Sequence, residues 1–466
     1  MKLPGVHRVL DLRPADQLQL FVHCATSVDY LSELNASIPG VERYAERALL
    51  LAGQRDVVCV TDEIEPDYLD FLGELGLGPV RGNVLAVSRF GRTGRCQPLW
   101  QSLLQSDEAL DTLACILRRH RSGRVHPFIA SPGQFELAAA LELRSGVPVQ
   151  VAGGNPQVVA YADLKHHIRA KAIELGVPVA PGEVVDLGAA GKCRQREYEM
   201  LVSAIERRID PTGRAIIRGT SGAAGSATYC AGRGGEHSST LARRLAERGE
   251  NRIYLVESMV EMTASPNVQM QIDGGSRSIE CTGVTDQRWE RTLVHGGNLY
   301  PSRAGCVPEM VAWAHTLAEW LRSAGFVGVA GFDFVEYLDP SGIPRAFLAE
   351  VNPRVNGATY PLRLAERLNA VQREAGLPEI GAFVSGTIET RANSFAELRD
   401  SIDGLLFSTE RGEGLVPYVT GCLPYGKCGM VAVAESSSEA DELFREVEAA
   451  ASSLRISRAI PAFSNV

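Results

Sequence analysis

The sequence of 466 residues lacks any apolar stretch close to the roughly 20 residues that a membrane-spanning helix requires. Its opening segment, "MKLPGVHRVLDLRPADQ", contains no long apolar core, so no secretory signal is expected. An excess of positive charge is also missing, because the formal net charge is -9 at pH 7. Binding to the phosphates of nucleic acid usually requires a basic surface. We therefore expect neither a membrane nor a nucleic acid as a partner.

Paired cysteine motifs are absent as well. The ten cysteines are scattered and no C-x-x-C occurs, while the nearest two, Cys422 and Cys428, are too far apart for the usual zinc-binding motif. Several cysteines lie in apolar runs such as "DVVCVTD" and "TLACIL", which predicts buried free thiols. Because free thiols are typical of a reducing compartment, we expect a cytoplasmic protein.

Two common nucleotide-binding motifs are missing too. The first predicted strand leads into "HCATSVDY", which has no G-x-G-x-x-G to approach a dinucleotide pyrophosphate. No G-x-x-x-x-G-K-[ST] is present either, so the chain has no Walker A loop. These absences argue against a nicotinamide site, a flavin site and a P-loop.

The segments that are present predict an α/β protein with three units. Residues 1–155 alternate between strand-like and helix-like segments, for example "DVVCVTDEI" followed by "PDYLDFLGELGLG", which predicts a doubly wound parallel sheet. Residues 156–380 contain a glycine-rich loop, alternating antiparallel strands and a predicted hairpin. Residues 381–466 form a small α/β segment.

The predicted hairpin carries the most specific pattern. In "GFDFVEY", Asp333 lies between two phenylalanines, so on a strand its side chain points away from them. In "LAEVNPRVNG", Glu350 and Asn352 are two residues apart and share one face, and Arg354 continues the alternation if the strand persists. The spacing allows Asp333 and Glu350 to be cross-strand neighbours. Because Mg²⁺ prefers hard oxygen ligands, the pattern predicts a magnesium site with a guanidinium at its edge.

Two further segments indicate phosphate and base recognition. "RGTSGAAGS" follows a predicted strand, so backbone N–H groups around Gly222 and the hydroxyl of Ser221 can approach phosphate oxygens. Arg218 precedes this loop and can clamp phosphates. In "LVESMVEM", Glu257 and Val260 have the spacing of a hinge whose backbone reads an adenine edge. An ordinary glycine-rich surface loop and an ordinary strand end remain alternatives when each segment is taken alone.

Taken together and in this order, the segments resemble the ATP-grasp superfamily. The resemblance covers residues 155–380 and is strongest at "GFDFVEY…FLAEVNPRVNG", which matches the acidic strand and the E-x-N-x-R pattern of that family. Residues 1–155 then resemble the pre-ATP-grasp domain that usually precedes it. The expected fold is a pre-ATP-grasp doubly wound domain, an ATP-grasp α+β fold and a small C-terminal α/β segment.

The resemblance implies roles for individual residues. Asp333, Glu350 and Asn352 would hold Mg²⁺, with Mn²⁺ as the alternative metal, and Arg354 would act on the transferring phosphoryl group and the negative intermediate. The nucleotide ATP would be bound by residues on the segments that precede and flank the glycine-rich loop, namely Lys165, Arg218, Ser221, Gly222, Glu257, Val260 and Glu261. Arg218 and Arg354 are the predicted catalytic residues.

Two positions depart from the family pattern. Arg218 stands where the family usually has a lysine, so the charge is kept but the point-like amine is not. The family often has a ribose-binding acid about seven residues after the hinge glutamate, whereas this sequence has Ala264 there. Glu261 is the candidate that replaces it.

The tail suggests a narrower resemblance. "GLVPYVTGCLPYGKCGMVAVAESSSEADELF" resembles the C-terminal segment of peptide ligases of the pheganomycin-biosynthesis type, and "HGGNLYPS" is either part of a substrate pocket or an ordinary loop. The resemblance implies an ADP-forming ligase that couples a small-molecule carboxylate to an amine, on amino acids or peptides. The alternatives are a carboxylase of the biotin-dependent kind and a non-catalytic ATP-binding subunit. The oligomeric state is left open, with a homodimer as one option.

Overall fold

The computed structural model describes residues 16–24, 38–91, 97–191, 193–221, 227–249, 251–275, 278–291 and 294–453. Within these residues the strands form three sheets, of five, four and nine strands. No helix in these ranges is both long enough and apolar enough to cross a membrane. The described cysteines are free thiols. Cys59 of "DVVCVTD" is buried as predicted, whereas Cys115 of "TLACIL" is exposed, and Cys422 and Cys428 are buried as well.

The first sheet is parallel throughout and has the order β3-β2-β1-β4-β5. Its strands are β1 Gln17–Val22, β2 Val57–Val60, β3 Val84–Ala86, β4 Ser122–Pro127 and β5 Val149–Val151. The flanking helices are a 3₁₀ helix at Val41–Leu50, α1 Pro66–Glu74, α2 Leu99–Leu104, α3 Asp107–Leu117 and α4 Pro132–Ser145.

Apolar side chains cover both faces of this sheet. Phe21 and Val58 pack with Tyr68 of α1 on one face, while Leu20 packs with Leu113 of α3 on the other. Burial on both faces explains the continuous apolar strands in the sequence, since alternation is lost when neither face meets water. The predicted doubly wound parallel sheet is therefore confirmed.

The second sheet is antiparallel, has the order β6-β9-β7-β8, and forms a small lobe. Its buried face packs against two helices that carry Leu201, Ile205, Leu241 and Leu245. The strands are β6 Gly182–Asp186, β7 Arg214–Gly219, β8 Thr228–Gly232 and β9 Ile253–Ser258, and the two helices are α7 Arg194–Thr212 and α8 Ser238–Arg248. Two helices precede the lobe, α5 Pro156–Asp163 and α6 Lys165–Glu174.

The third sheet is antiparallel, with β10 and β11 pairing along one side of β14 and β15 along the other. From β11 it continues through β12, β13, β16 and β18 to β17. The strands are β10 Met262–Ala264, β11 Pro266–Ile272, β12 Ile279–Arg291, β13 Val294–Tyr300, β14 Gly328–Leu338, β15 Pro344–Asn352, β16 Ala382–Glu389, β17 Gly414–Tyr418 and β18 Lys427–Ala434. The accompanying helices are α9 Val307–Ser323, α10 Thr359–Ala375, α11 Phe395–Ser401 and α12 Ser437–Ser453.

Strands of the C-terminal segment belong to the same sheet as the predicted hairpin, because β16 pairs with β13 from Tyr300 opposite Phe383 to Gly297 opposite Gly386. The sequence "HGGNLYPS", interpreted above as part of a substrate pocket or as an ordinary loop, is mostly strand β13. Gly297 explains the difference: it has φ of 146°, and a Cβ there would lie 1.8 Å from the carbonyl oxygen of Ser385. A glycine that signals a loop in the sequence thus permits close strand pairing here.

Candidate active site

The predicted hairpin forms, with β14 and β15 antiparallel and "PSGI" at the turn. Asp333 is the direct register partner of Glu350, as the spacing predicted. Phe332 and Phe334 on either side are fully buried in the apolar core beneath the strand. Alternation therefore turns Asp333 to the opposite face, where Glu350 also lies.

The two carboxylates share hydrogen bonds with an amide. Nδ2 of Asn352 donates to Oδ2 of Asp333 over 2.8 Å and to Oε1 of Glu350 over 3.4 Å. Burial and the neighbouring charge of Glu350 raise the pKa of Asp333 to about 7. Burial by itself would raise the pKa of Glu350, but the charges of Lys165 and Arg218 outweigh it and lower this pKa to about 2. The cluster thus carries one firmly ionised carboxylate beside one that resists ionisation.

The donor set fits a divalent cation. Two carboxylates and an amide oxygen are hard ligands, and Mg²⁺ in phosphoryl-transfer sites is typically held by one or two carboxylates together with substrate phosphates. A cation between Asp333 and Glu350 would remove the repulsion that raises the pKa of Asp333. Among the residues that the structure describes, no group of three or more His, Cys, Asp or Glu side chains forms a metal site. A metal site here would therefore require the amide of Asn352 beside the two carboxylates.

Sequence reasoning missed the polar residues behind this cluster. Nδ2 of Asn267 on β11 donates to Oδ1 of Asp333. Nε2 of Gln269, on the same strand face, donates to Oδ1 of Asn356 over 2.9 Å, and Thr359 donates to Oε1 of Gln269 over 2.8 Å. The alternation of amides in "NVQMQI" was the available signal, since it places polar side chains every second residue on a buried strand.

The small lobe contributes a cation to the same place. Nζ of Lys165, the first residue of α6, lies 3.0 Å from Oε2 of Glu350. The backbone N–H of Lys165 donates to the carbonyl of Thr220, next to the glycine-rich loop. Lys165 therefore links the hairpin of the large sheet to the loop of the small lobe.

Arg218 and Glu257 form a buried ion cluster with a residue that the sequence reasoning did not select. Arg218 donates from Nε and Nη2 to Oε2 of Glu257, over 2.9 and 2.6 Å, and from Nη1 to the carbonyl of Ala349 over 2.8 Å. Nη1 of Arg169 donates to Oε1 of the same Glu257 over 2.8 Å. Among the described residues, these contacts engage three of the five N–H donors of Arg218.

The remaining predicted nucleotide residues lie around the small lobe. Glu257 is the next-to-last residue of β9 and its side chain is buried, and Val260 and exposed Glu261 follow in the link to β10. The backbone N–H of Ser221 donates to Oδ1 of Asn251 over 3.3 Å. Gly222 lies outside the described residues. The roles of these residues toward ATP remain predictions.

Arg354 does not continue the strand alternation, because β15 ends at Asn352 and the chain then turns. Its backbone N–H donates to the carbonyl of Asn352 over 2.8 Å. The guanidinium lies 5.1 Å from the ring centroid of Phe128, and its Nε lies 3.8 Å from Oδ1 of Asp163. This turn directs Arg354 into a cavity, away from the face that holds Glu350.

The cavity has a volume of about 470 Å³ and lies between the parallel sheet and the large sheet. His23 and His126 line it from the carboxyl ends of β1 and β4, and Arg354 and Thr359 line it from the segment after β15. Its size falls within the range of roughly 300–1,000 Å³ typical of small-molecule sites. The arrangement therefore offers a second binding space next to the carboxylate cluster.

Comparison with known protein families matches residues 45–143 to the pre-ATP-grasp domain family. A search of curated proteins found no significant match. The matched segment contains β2, β3 and β4 of the parallel sheet and most of its helices.

Solved structures of ATP-dependent enzymes share the fold over nearly the whole chain. An ADP complex of N5-carboxyaminoimidazole ribonucleotide synthetase has a TM-score of 0.54 at 14% identity, covering 93% of this chain and 96% of its own. The synthetase from Thermus thermophilus has a TM-score of 0.51 at 13% identity, covering 95% and 99%. Biotin carboxylase from Campylobacter jejuni has a TM-score of 0.50 at 11% identity, covering 91% and 89%. The chain therefore has a pre-ATP-grasp domain followed by the ATP-grasp fold.

Proposed function

We propose that this chain is an ATP-dependent ligase that activates a carboxylate as an acyl phosphate and couples it to an amine. The product would be an amide or peptide bond on amino acids or peptides, in specialised metabolite biosynthesis. The observation that carries the proposal is the junction at β15. Glu350 meets Lys165 of the small lobe at 3.0 Å, and four residues after Glu350, Arg354 lines a cavity able to hold a second substrate.

The proposed chemistry follows from the charges at this junction. A carboxylate is a poor acyl donor, whereas an acyl phosphate has a good leaving group. Transfer of the γ-phosphoryl group of ATP depends mainly on positioning and on neutralising negative charge. Lys165 and the two remaining N–H donors of Arg218 would bind phosphate oxygens at the lobe interface.

Asp333, Glu350 and Asn352 are the residues that would hold Mg²⁺. When bound, the metal would neutralise part of the negative charge of the ATP phosphates. Asn267 and Gln269 hold this ligand set from behind, because their amides fix Asp333 and the loop around Asn356. Prearranged ligands of this kind require little reorganisation during the reaction.

Arg354 would act at the reacting carboxyl group. Its guanidinium is positioned by the ring of Phe128 and by Asp163 at the wall of the cavity. There it would bind the substrate carboxylate and then stabilise the oxyanion that forms when the amine attacks the acyl phosphate. Glu257 and Val260 would present the adenine hinge, and Glu261 would bind the ribose.

The narrower assignment rests on the tail and on the thiols. The resemblance of residues 414–444 to peptide ligases of the pheganomycin-biosynthesis type supports amino acid or peptide substrates. The buried free thiols support a cytoplasmic location. A homodimer is the oligomeric state that we propose to test by light scattering.

A phosphate-release screen tests the proposal. The full chain is incubated with ATP, Mg²⁺ and pairs of amino acids or short peptides, and products are identified by mass spectrometry. We expect ADP, inorganic phosphate and a new amide. AMP with pyrophosphate would overturn the acyl-phosphate route in favour of adenylation.

The structural similarity to biotin carboxylase and to N5-carboxyaminoimidazole ribonucleotide synthetases favours a second candidate, a carboxylase. The same screen separates the two, because ADP formation that requires bicarbonate and gives no amide would identify a carboxylase. Tight ATP binding without phosphate release under any condition would instead support a non-catalytic ATP-binding subunit.

A further inference from the structure

The cavity lies at the switch point of the parallel sheet. From β1 the chain adds β2 on one side, and β4 lies on the other side of β1. Ligands of open α/β sheets bind outside the carboxyl ends of the strands at such a point. His23 directly follows β1 and His126 lies near the end of β4, and both line the cavity.

One ring nitrogen of His23 has no hydrogen-bond partner among the described residues. The side chain is 1% exposed, and its Nδ1 lies 3.1 Å from the hydroxyl of Tyr360. Among the described residues, its Nε2 is buried with no hydrogen-bond partner. Leaving a buried polar atom without a partner is unfavourable, so a ligand group that completes the hydrogen bond would stabilise this arrangement.

The protonation state of His23 defines what that partner is. Burial, and then the charge of Arg47, lower the pKa of His23 to about 3, so the ring is neutral near pH 7. Burial raises the pKa of Tyr360, which keeps its hydroxyl protonated. With this hydroxyl as the donor to Nδ1, Nε2 keeps the ring proton and is a buried donor on a residue that lines the cavity. Its natural partner is a carbonyl or carboxylate oxygen.

The charges on the cavity wall are balanced. Among the described lining residues there are three arginines and three carboxylates. Each arginine already has a neighbour: the pairs are Arg354 with Asp163 at 3.8 Å, Arg363 with Glu366 at 2.5 Å, and Arg124 with Gln150 at 3.2 Å. A bound phosphate group calls for cations in excess of the local carboxylates. A balanced wall suits a neutral or zwitterionic ligand.

Much of the remaining wall is apolar. Phe21, Phe128, Phe326, Leu51 and Leu362 line the same space. Aromatic and aliphatic walls bind bulky apolar groups, because these leave water on entering the pocket.

We infer that this cavity takes a zwitterionic amino acid or short peptide with a bulky apolar side chain, and that His23 binds its carbonyl or carboxylate oxygen through Nε2. Phosphorylated amines are disfavoured there. The reaction in which this substrate takes part rests on the proposed function, but its binding does not.

Binding measured without ATP tests the inference. Calorimetric titrations of the full chain use three probes: L-phenylalanine, L-leucyl-L-phenylalanine and the phosphorylated amine 5-aminoimidazole ribonucleotide. We expect one of the two apolar probes to bind most tightly. Tighter binding of the phosphorylated amine, or binding of neither apolar probe, would overturn the inference.

The role of His23 is tested with His23→Gln and a matched control, His120→Gln, in the same domain and away from the cavity. We expect His23→Gln to weaken the best probe roughly tenfold, the loss of one hydrogen bond, with ATP affinity unchanged. His120→Gln is expected to leave both affinities unchanged. Equal affinity of His23→Gln and wild type would remove His23 from the site. The wild-type ranking of probes stands even if His23→Gln unfolds.

These outcomes separate this inference from the proposed function. If apolar amino acids or peptides bind but no phosphate is released with any amine, the ligase assignment fails and the cavity assignment stands. If phosphate is released only with phosphorylated amines that also bind best, the cavity assignment fails while an ATP-dependent reaction remains.

Discussion

Arg354 is the residue through which the proposed reaction is tested most directly. It lines the cavity, whereas Lys165 contacts Glu350 of the carboxylate cluster, where we propose that ATP binds. We expect Arg354→Ala to keep its affinity for ATP and to lose turnover by roughly 10²–10³-fold, as for other prearranged donors. Rates of phosphate release and ATP titrations measure the two quantities separately. Exposed Arg345 on the same hairpin is the control, and Arg345→Ala should change neither. Equal loss of ATP affinity and turnover in Arg354→Ala would contradict this role.

Glu257 presents a different case, because its carboxylate lies between two buried guanidinium groups. Removing one partner of a buried ion cluster leaves the others uncompensated and typically costs about 3–5 kcal/mol. We expect Glu257→Gln to lower the free energy of unfolding by an amount of this order, since Arg169 and Arg218 would then repel each other. Urea denaturation followed by circular dichroism measures this change.

Exposed Glu261 supplies the comparison for that substitution. Glu261→Gln alters an acid of the same segment without touching the buried arginines, so its urea midpoint should match the wild type. If Glu257→Gln were as stable as Glu261→Gln, the ion cluster would not stabilise the small lobe.

Asp333 gives the protein a pH-dependent component of stability. Its pKa is raised from 3.8 to about 7 by burial and by Glu350, so the folded chain holds a proton that the unfolded chain releases. Stability from this group is therefore present at low pH and is lost as the pH rises toward about 7. In EDTA, the free energy of unfolding of Asp333→Asn minus that of the wild type should increase between about pH 5 and about pH 8.

Glu350 does not disturb that measurement. Its lowered pKa affects stability only below its ordinary value of 4.5, because above that value it is ionised in both the folded and the unfolded chain. Parallel pH profiles for wild type and Asp333→Asn would show that Asp333 titrates normally.

At the scale of the element, strand β13 depends on a single glycine. A Cβ at Gly297 would lie 1.8 Å from the carbonyl oxygen of Ser385, and its φ of 146° is unfavourable for other residues. We expect Gly297→Ala to weaken the pairing of β13 with β16 and to lower the free energy of unfolding by about 1–3 kcal/mol. Hydrogen exchange of the β16 amides and urea denaturation measure the effect.

Gly73 in α1 is the matched position for this test. A Cβ there meets nothing within 4 Å, so Gly73→Ala should be neutral or slightly stabilising. If the β16 amides of Gly297→Ala exchanged as slowly as those of the wild type, the pairing of β13 with β16 would not depend on Gly297, and this prediction would be wrong.

The hairpin could be predicted from the sequence because its information is local. Apolar residues flank Asp333, turn residues occupy "PSGI", and Glu350 and Asn352 share a strand face, so the register follows from counting. The parallel sheet was predictable for a similar reason, since short apolar runs alternate with amphipathic helical segments.

Contacts between segments that are far apart in the sequence could not be predicted from local patterns. Arg354 was expected to follow the strand, but the chain turns after Asn352 and places it against Phe128, more than two hundred residues earlier. Arg169 was not selected, because only the folded chain brings it to Glu257. Cys115 lies in an apolar run of a helix and is nevertheless exposed, because it lies on the face of α3 that points to water.

At the scale of the whole molecule, the nine-stranded sheet connects the two binding spaces. The small lobe meets it at Glu350, and the parallel sheet meets it across the cavity lined by Arg354. The segment 350–354 therefore separates the proposed nucleotide site from the proposed substrate site by a few residues. Such closeness is what transfer of a phosphoryl group from ATP to a carboxylate demands.

Binding of ATP with Mg²⁺ should stabilise the whole chain, because the proposed ligands come from both the small lobe and the large sheet. A ligand at 100 times its dissociation constant adds about 2.7 kcal/mol to the free energy of unfolding. We expect ATP with Mg²⁺ to raise the melting temperature, ATP with EDTA to raise it less, and Glu350→Gln to abolish the difference between them. An equal rise with EDTA in the wild type would mean that the carboxylates of β14 and β15 do not bind a metal–nucleotide complex, and the ligase proposal would lose its central site.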